Sequence, residues 1–256
     1  MNSLFNLTGK TAVVIGGNSV LGSAMAKGLA AHGAKLAIVG RDLEKANRVV
    51  EEIVEEGGKA KAFQADVVSR EALEKVADDI EKWADRFDIL LNAPGKNSNT
   101  PFFDLKEEEW DDIMSVNLKG MYVTCQIFAK RMINRGTKGS IINISSVSST
   151  TPLSKVFTYS VSKAGVNSMT QYLAKELAPY GIRVNAIIPG FFPAEQNKKI
   201  LVPERIESIM NHTPMNRFGE AEELQGAAVF LASEKASSFV TGTLLRVDGG
   251  FGAQTI

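Results

Sequence analysis

Short apolar runs rich in β-branched residues alternate with longer amphipathic stretches along the whole chain. The run Thr11–Ile15 is apolar almost throughout, as expected of a strand that is buried on both faces of a sheet. The stretch Arg70–Arg86 instead repeats apolar residues every three or four positions, which predicts a helix with one buried face. The same reasoning predicts strands at Thr11–Ile15, Lys35–Val39, Lys61–Ala65, Asp88–Asn92, Ser140–Ile144, Arg183–Ile188 and Leu244–Val247.

Helices are predicted between these strands. Asp42 is placed to cap one of them, and Gly33 follows the last turn of another. A long helical region in the middle of the chain is expected to bend near Asn117 and Gly120. The predicted helices are Ser23–His32, 43–56, Arg70–Arg86, the bent region Lys106–Arg135, Tyr159–Tyr180, Pro203–Asn211 and Glu220–Ala232.

This alternation predicts an α/β fold with a parallel sheet that is covered by helices on both faces. Right-handed crossovers make such a sheet doubly wound, and ligands then bind at the carboxyl ends of its strands. No linker, repeat or low-complexity tract divides the chain. We therefore expect a single domain over residues 1–256, in which about 191–218 form a substrate-binding segment.

Composition narrows the function classes. Apolar residues make up 44%, charged residues 23%, and the formal net charge is zero, which argues against a nucleic acid or an anionic membrane as partner. No run of 18 apolar residues predicts a membrane span, and the N-terminal residues have no signal-peptide core, so a cytoplasmic location is expected. The single cysteine, Cys125, is predicted to lie on a buried helix face, and no Cys/His set predicts a metal site.

A glycine-rich turn, Gly16–Gly22, follows the first strand. Glycines allow a pyrophosphate to approach the backbone, and the next helix begins with free N–H groups. Asn18 and Ser19 could brace the loop or bind ribose and phosphate oxygens. The loop is typical of a dinucleotide site, although glycines also build ordinary tight turns.

The residues after the second and third strands bear on cofactor choice. NAD-binding folds usually carry an acidic residue after the second strand, but this chain has Gly40-Arg41 there. Arg41 could clamp a 2′-phosphate, so NADP(H) is favoured over NAD(H); the alternative is a solvated arginine that opens a helix. Asp66 could accept a hydrogen bond from the adenine amino group or cap the following helix.

Tyr159 and Lys163 are four residues apart and so share one face of a predicted helix. A phenol is a poor base at neutral pH because its pKa is about 10. An ammonium about 4 Å away contributes roughly 4 kcal/mol at an effective dielectric constant of about 20, which is enough to lower that pKa toward neutrality. Such a pair could move a proton to and from an alcohol or carbonyl oxygen.

Taken in order, these motifs resemble the classical short-chain dehydrogenase/reductase family over essentially the whole chain. The combination is specific because Ser146 lies 13 residues before Tyr159 and Val247-Asp-Gly-Gly250 closes the chain. The resemblance implies an NAD(P)(H)-dependent alcohol/carbonyl oxidoreductase, a seven-stranded Rossmann sheet and a homotetramer. It rests on Gly16–Gly22, Asn92, Asn117, Ser146, Tyr159, Lys163 and Pro189-Gly190.

The resemblance assigns four catalytic roles. Tyr159 would be the general acid/base, and Lys163 would lower its pKa and hold the nicotinamide ribose. Ser146 would stabilise charge on the substrate oxygen, and Asn117 would hold a water for proton relay. The implied cofactor-binding residues are Gly16, Asn18, Ser19, Leu21, Gly22, Arg41, Asp66, Val67, Asn92, Ala93, Gly95, Tyr159, Lys163, Pro189 and Gly190.

The chain departs from the common family pattern at four positions. Val20 stands in place of a glycine in the phosphate loop, and Ala93-Pro94 replaces the usual Asn-Ala. Ala194 stands where a threonine commonly contacts the carboxamide. These departures concern the hold on the cofactor and leave the four catalytic residues intact.

A narrower resemblance, carried by Pro189-Gly-Phe-Phe192 and His212-Thr-Pro-Met215, is to the sugar-acid branch of the family. It includes D-mannonate oxidoreductases (fructuronate reductases) and gluconate 5-dehydrogenases. Lys198, Lys199 and Arg217 would supply positive charge for a carboxylate, whereas His212 could equally cap a helix. The implied substrate-binding residues are Ser146, Tyr159, Gln196, Asn197 and His212.

Two other functions stay open at this point. One is a 3-oxoacyl-thioester reductase or general ketoreductase, which Phe191 and Phe192 would permit. The other is a catalytically inactive nucleotide-binding module, against which the intact Ser146, Tyr159 and Lys163 argue. A serine hydrolase is disfavoured because the chain has two histidines and no Gly-x-Ser-x-Gly elbow.

Overall fold

A computed structural model describes residues 4–193 and 202–253. Its centre is one seven-stranded sheet in the order β3-β2-β1-β4-β5-β6-β7, and every neighbouring pair is parallel. The predicted doubly wound α/β fold and seven-stranded Rossmann sheet are confirmed. The strands are β1 (Thr11–Ile15), β2 (Lys35–Gly40), β3 (Lys59–Gln64), β4 (Ile89–Asn92), β5 (Ser140–Ile144), β6 (Arg183–Pro189) and β7 (Leu244–Val247).

The strand order reverses between β1 and β4, which are neighbours inside the sheet: β2 and β3 follow on the side of β1, and β5 to β7 follow on the side of β4. Ile15 lies in register with Val39 of β2 on one side and with Asn92 of β4 on the other. The loops that follow β1 and β4 therefore leave the sheet in opposite directions and open a crevice at its carboxyl edge. Several of the residues predicted to bind the cofactor and substrate, among them Ser19, Gly95 and Tyr159, line this crevice.

Helices cover both faces of the sheet. On one face Met25, Leu29 and Leu231 pack with side chains of β1 and β2; on the other, Ile80 and Phe128 pack with their alternate residues. This is the expected result of a period of two along buried strands. The helices are α1 (Val20–Ala31), α2 (Leu43–Glu55), α3 (Arg70–Ala84), α4 (Glu107–Met114), α5 (Gly120–Asn134), α6 (Phe157–Leu177), α7 (Pro203–Asn211), α8 (Gln225–Ala232) and α9 (Glu234–Ser237).

The predicted bend in the middle helical region is a π-helical turn, Ser115–Lys119, between α4 and α5. At its end Gly120 N donates to Ser115 O, five residues earlier. A π-turn widens the helix by one residue and often marks a functional position. Here it places Asn117, which is fully buried, toward the carboxyl edge of the sheet.

The helix caps in the structure agree with the prediction at Asp42 and differ from it at Asp66. Asp42 caps α2 as predicted, since its carboxylate accepts from Lys45 N at 3.0 Å. Asp66 does not cap the next helix: Ser69 does, with its hydroxyl accepting from Ala72 N at 3.1 Å. Asp66 lies three residues too early in the turn, where its carboxylate accepts from Val68 N at 3.2 Å.

Candidate active site

The loop after β1 is shaped by two glycines that leave no room for a side chain. Gly16 has φ of +71°, and a Cβ there would lie 2.7 Å from Ala93 O. A Cβ on Gly22 would lie 2.3 Å from Gly16 O, so the start of α1 packs directly on the loop backbone. Ser19 caps α1: its hydroxyl donates to Gly16 O at 2.7 Å and accepts from Gly22 N at 3.2 Å.

The first turn of α1 thus presents backbone N–H groups to the crevice, as an anion site requires. Val20 is the first residue of this helix, and its side chain is 39% exposed and lines the crevice. The branched side chain projects outward from the N-terminus and does not pack into the loop. The Gly-to-Val departure therefore leaves the close packing of Gly16 and Gly22 in place.

Asn18 fills the space beside Gly40 at the end of β2. A Cβ on Gly40 would lie 2.6 Å from the Asn18 carboxamide, which also donates to Asp42 O at 3.2 Å. Gly40, the position that is often acidic in NAD-binding folds, therefore cannot carry a side chain while the Asn18 carboxamide fills this space. The next residue, Arg41, has an exposed side chain, and its carbonyl accepts from Gln64 Nε2 at 2.9 Å.

Lys163 is buried at the centre of the site, although it is a lysine. Its Nζ donates to Ile144 O at 2.9 Å and to Pro94 O at 3.5 Å, and only 2% of the residue is exposed. Burial lowers the pKa of Lys163 from 10.5 to about 8, because the charged form loses water. The strand end at Ile144 and the loop at Pro94 are thereby joined to α6.

Tyr159 lies one turn before Lys163 on α6 and is half-buried, with its ring centroid 5.7 Å from Lys163 Nζ. Burial raises the pKa of Tyr159, and its hydrogen bond with the Ser146 side chain acts in the opposite direction. Ser146 also accepts from Ser148 N at 3.2 Å, which fixes its hydroxyl at the end of β5. The structure brings the predicted trio Ser146, Tyr159 and Lys163 together.

The predicted effect of Lys163 on Tyr159 is not found in the structure. The pKa of the phenol is raised by burial, and Lys163 is not among the groups that shift it. Lys163 directs its ammonium toward two main-chain carbonyls, and burial is the largest cause of the shift in the Tyr159 pKa. At neutral pH the phenol is therefore protonated and is a proton donor.

Asn117 has a different partner from the one predicted. Its Oδ1 accepts from Lys96 N at 2.7 Å, and its Nδ2 donates to Lys96 O at 2.8 Å and to Ser162 Oγ at 3.0 Å. The carboxamide is thus occupied by the loop after β4 and by α6. It holds the crevice wall in place; the water-holding role stays a prediction.

Asn92 was predicted to bind the cofactor, but its side chain points into the protein. Its Nδ2 donates to Cys125 Sγ and to Asn143 Oδ1, each at 3.2 Å, and Asn143 in turn donates to Thr170 Oγ1 at 3.0 Å. This network ties β4 and β5 to α5 and α6. Burial raises the pKa of Cys125 to about 12, so its thiol is protonated and is not a nucleophile at neutral pH.

A cavity of about 240 Å³ is lined by Ser146, Tyr159 and Lys163. Of the residues predicted to hold the cofactor, Ser19, Leu21, Ala93, Gly95 and the Pro189-Gly190 pair line it beside Tyr159 and Lys163. Lys96, Asn97 and Leu153 line it as well. The remaining lining residues are Val20, Pro94, Ile144, Ser145, Val147, Val156, Phe191, Phe192, Arg205 and Phe218.

Other predicted residues lie elsewhere. Four of them follow the carboxyl ends of β1 to β3: Asn18, Arg41, Asp66 and Val67. Val67 lies against Gly120. His212 ends α7, where its ring Nδ1 is 2.7 Å from Ser208 O, which is the capping alternative; it does not line the cavity. The predicted residues Ala194, Gln196, Asn197, Lys198 and Lys199 lie outside the described residues.

Arg217 does not supply charge to the cavity. Its guanidinium is exposed and forms a two-point ion pair with Glu223, at 2.7 and 2.6 Å. The arginine that does line the cavity is Arg205 of α7, which sequence reasoning missed. Its position four residues before the buried Ile209 is the signal that could have found it, because residues at that spacing share a helix face.

The site fits a nicotinamide dinucleotide. The close-packed loop at Gly16 and Gly22, the N-terminus of α1 and the cavity in front of Tyr159 form a continuous cradle at the switch point of the sheet. No group of three His, Cys, Asp or Glu side chains that could hold a metal ion occurs in the part of the chain that the structure describes. In residues 4–193 and 202–253, no helix is long and apolar enough to cross a membrane.

Residues 16–252 match the family model described as Enoyl-(Acyl carrier protein) reductase. The chain belongs to the short-chain dehydrogenase/reductase family, and it is an NAD(P)-dependent oxidoreductase of that family. A curated relative, the gluconate 5-dehydrogenase of Gluconobacter oxydans, is 36% identical; the alignment covers 96% of each chain.

Two solved structures extend the comparison. A gluconate 5-dehydrogenase from Burkholderia cenocepacia, in complex with NADP and tartrate, is 34% identical with a TM-score of 0.93 and covers 98% of each chain. A protein described as a D-mannonate oxidoreductase from Haemophilus influenza, with bound NAD, is 38% identical with a TM-score of 0.91. It covers 98% of this chain and 97% of its own. Both dinucleotides thus occur among the relatives.

Proposed function

We propose that this protein interconverts a secondary alcohol and a ketone on a sugar acid, of the gluconate/5-ketogluconate or mannonate/fructuronate type. The observation that carries the proposal is full-length similarity, at 34 to 38% identity, to proteins described as gluconate 5-dehydrogenases and a D-mannonate oxidoreductase. The cavity supports it, because Lys96, Lys163 and Arg205 line it and no acidic side chain is among its described lining residues.

Three side chains have the geometry for the proton chemistry. Ser146 donates a hydrogen bond to the substrate oxygen and orients it toward Tyr159. Tyr159, protonated at neutral pH, gives its phenol proton to that oxygen during reduction and takes it back during oxidation. Lys163 holds the Ile144 and Pro94 carbonyls together, which keeps Tyr159 and the cofactor loop in fixed relation. A bound nicotinamide supplies or accepts the hydride.

The dinucleotide would lie along the cradle at the carboxyl edge of the sheet. Ser19, Leu21, Ala93, Gly95 and the Pro189-Gly190 pair would hold it at the cavity. Arg41 favours NADP(H), because its exposed guanidinium follows β2 and Gly40 leaves no acidic group there to repel a 2′-phosphate. Asp66 and Val67 would border the adenine.

The acyl-thioester reductase alternative has one observation in its favour. Five apolar side chains, Leu153, Val156, Phe191, Phe192 and Phe218, line the cavity and would accept an acyl chain. It differs from the sugar-acid proposal in what the enzyme should prefer. A 3-oxoacyl thioester is long and apolar near the ketone, whereas a keto sugar acid is short, polar and anionic.

A substrate screen separates these proposals. The reduction of 5-keto-D-gluconate, D-fructuronate, a 3-oxoacyl thioester and small neutral ketones is followed by nicotinamide absorbance, with NADPH and with NADH. The sugar-acid proposal expects the highest kcat/KM for one of the first two. A higher kcat/KM for the thioester or for every neutral ketone refutes it.

We also propose that the protein is a cytoplasmic homotetramer. Large aromatic side chains on the outside of the domain support the assembly: Phe103 is 95% exposed, Tyr172 of α6 is 64% exposed and Phe239 is fully exposed. Burying these side chains against other copies of the chain would remove apolar surface from water. Light scattering that gives the mass of four chains supports this state, and the mass of one chain refutes it.

A further inference from the structure

Arg205 projects from α7 into the same cavity as Ser146 and Tyr159. Ile209 is the buried residue of this helix, and Arg205 precedes it by four positions, so both lie on the face that packs against the domain. The guanidinium Nη2 donates to Ser154 O at 3.4 Å. Ser154 belongs to the loop between β5 and α6, so Arg205 spans the gap between α7 and that loop.

The other cations near the cavity are already engaged. Lys163 donates to two main-chain carbonyls, Lys96 pairs with Asp112, and Arg217 is held by Glu223 outside the cavity. Arg205 has a single long hydrogen bond among the described residues, and none of their carboxylates lies within ion-pair distance of it. A guanidinium has five N–H donors, so most of the hydrogen-bond capacity of Arg205 is open to partners other than Ser154.

The surroundings of Arg205 make an anionic partner favourable. Phe191, Phe192 and Phe218 line the cavity with it, so the wall beside Arg205 is largely apolar. An ion pair is stronger where water is excluded, and a guanidinium matches a carboxylate in a planar two-point contact. The proton donor Tyr159 and the cation Arg205 thus line one cavity.

We propose that Arg205 binds the carboxylate of the sugar-acid substrate and thereby selects which hydroxyl or ketone carbon faces Tyr159. The proposal rests on the function proposed above and adds the residue that sets its specificity. Arg205 acts on substrate affinity and orientation, whereas Ser146 and Tyr159 carry the proton chemistry. The predicted cations Lys198 and Lys199 are not needed for this contact.

The test compares an acid with its own neutral derivative. D-gluconate, D-mannonate and the primary amide of each are oxidised with NADP by the wild type, Arg205→Gln, Arg205→Lys and the control Arg217→Gln. Losing a charge-assisted two-point contact should raise KM for the acid about 10- to 100-fold in Arg205→Gln. We expect kcat and KM for the amide and Kd for NADPH to stay near wild type. Arg205→Lys should fall between the two, and Arg217→Gln should match the wild type.

Each other outcome has a definite meaning. An unchanged KM for the acid in Arg205→Gln, or an equal rise for acid and amide, overturns the carboxylate contact while leaving the proposed function intact. A weaker Kd for NADPH in that variant overturns it too, because Arg205 would then serve the cofactor. If the wild type oxidises neither acid, the proposed function fails and the carboxylate contact fails with it. Thermal unfolding of each variant checks that the fold is unchanged.

Discussion

The carboxamide of Asn117 holds both main-chain polar atoms of Lys96, with its Oδ1 accepting from N at 2.7 Å and its Nδ2 donating to O at 2.8 Å. A π-turn in the middle of a helix thereby fixes the loop after β4, which lines the cavity beside Tyr159. This loop carries the Ala93-Pro94 departure from the family pattern. The contact explains how it stays ordered without the usual asparagine at position 93.

Replacing Asn117 should loosen this wall of the site. Asn117→Ala leaves the Lys96 N–H and carbonyl without their partner, which costs about 1–3 kcal/mol of stability. We expect urea unfolding to show that loss and kcat to fall by more than KM rises, because the cavity wall is misplaced. Asn99→Ala, an exposed residue of the same loop, is the matched control and should change neither value. Wild-type stability in Asn117→Ala would show that the clamp is not needed.

Cofactor preference should depend on Arg41. Arg41→Asp removes the cation and adds a repelling charge, so we expect NADPH affinity to fall about 10- to 100-fold while NADH affinity changes little. Isothermal titration with each dinucleotide measures both. Arg48→Asp makes the same charge change at an exposed position of α2 and is the control. An equal loss of affinity for the two dinucleotides would contradict NADP selection by Arg41.

The buried charge of Lys163 should make stability depend on pH. Its pKa is lowered from 10.5 to about 8 by burial, so the native state disfavours the charged form. Below pH 8 the ammonium is charged in both states, and its burial costs about 3 kcal/mol. Between pH 8 and 10.5 the unfolded chain binds the additional proton, so stability rises with pH until the cost is gone.

A pair of lysine variants isolates this effect. The difference in unfolding free energy between the wild type and Lys163→Met should move by about 3 kcal/mol in favour of the wild type from pH 8 to pH 10.5. Lys175→Met, on the exposed side of the same helix, is the matched control. Urea unfolding at several pH values measures both. Parallel curves for Lys163→Met and the wild type would show that Lys163 has an ordinary pKa.

The sequence predicted those features that depend on near neighbours in the chain. The strands were found to within about two residues, because uninterrupted β-branched runs distinguish buried strands. Tyr159 and Lys163 lie within one helix, and Ser146 follows the preceding strand by two residues, so their spacing predicted that the three side chains come together. Asp42 was recognised as a cap for the same local reason.

Features that depend on distant residues could not be predicted in this way. Asn92 ends its strand in the expected place, but its side chain faces Cys125 and Asn143, which are 33 and 51 positions away. The position of Lys163 Nζ depends on carbonyls from two other segments, those of Pro94 and Ile144. Arg205 of α7 lines the cavity together with residues far from it in the chain, such as Ser19 and Ala93.

In the proposed function, Tyr159 moves the proton in a reaction on a sugar acid. The direct measurement is reduction of 5-keto-D-gluconate and D-fructuronate with NADPH by the wild type, Tyr159→Phe and the control Tyr172→Phe, an exposed tyrosine on the same helix. We predict wild-type turnover of one of them, unchanged in Tyr172→Phe. In Tyr159→Phe, kcat should fall about 10²- to 10⁴-fold with Kd for NADPH unchanged. Wild-type kcat in Tyr159→Phe would contradict the proton-transfer role of Tyr159. No turnover of either acid by the wild type would contradict the proposed sugar-acid function.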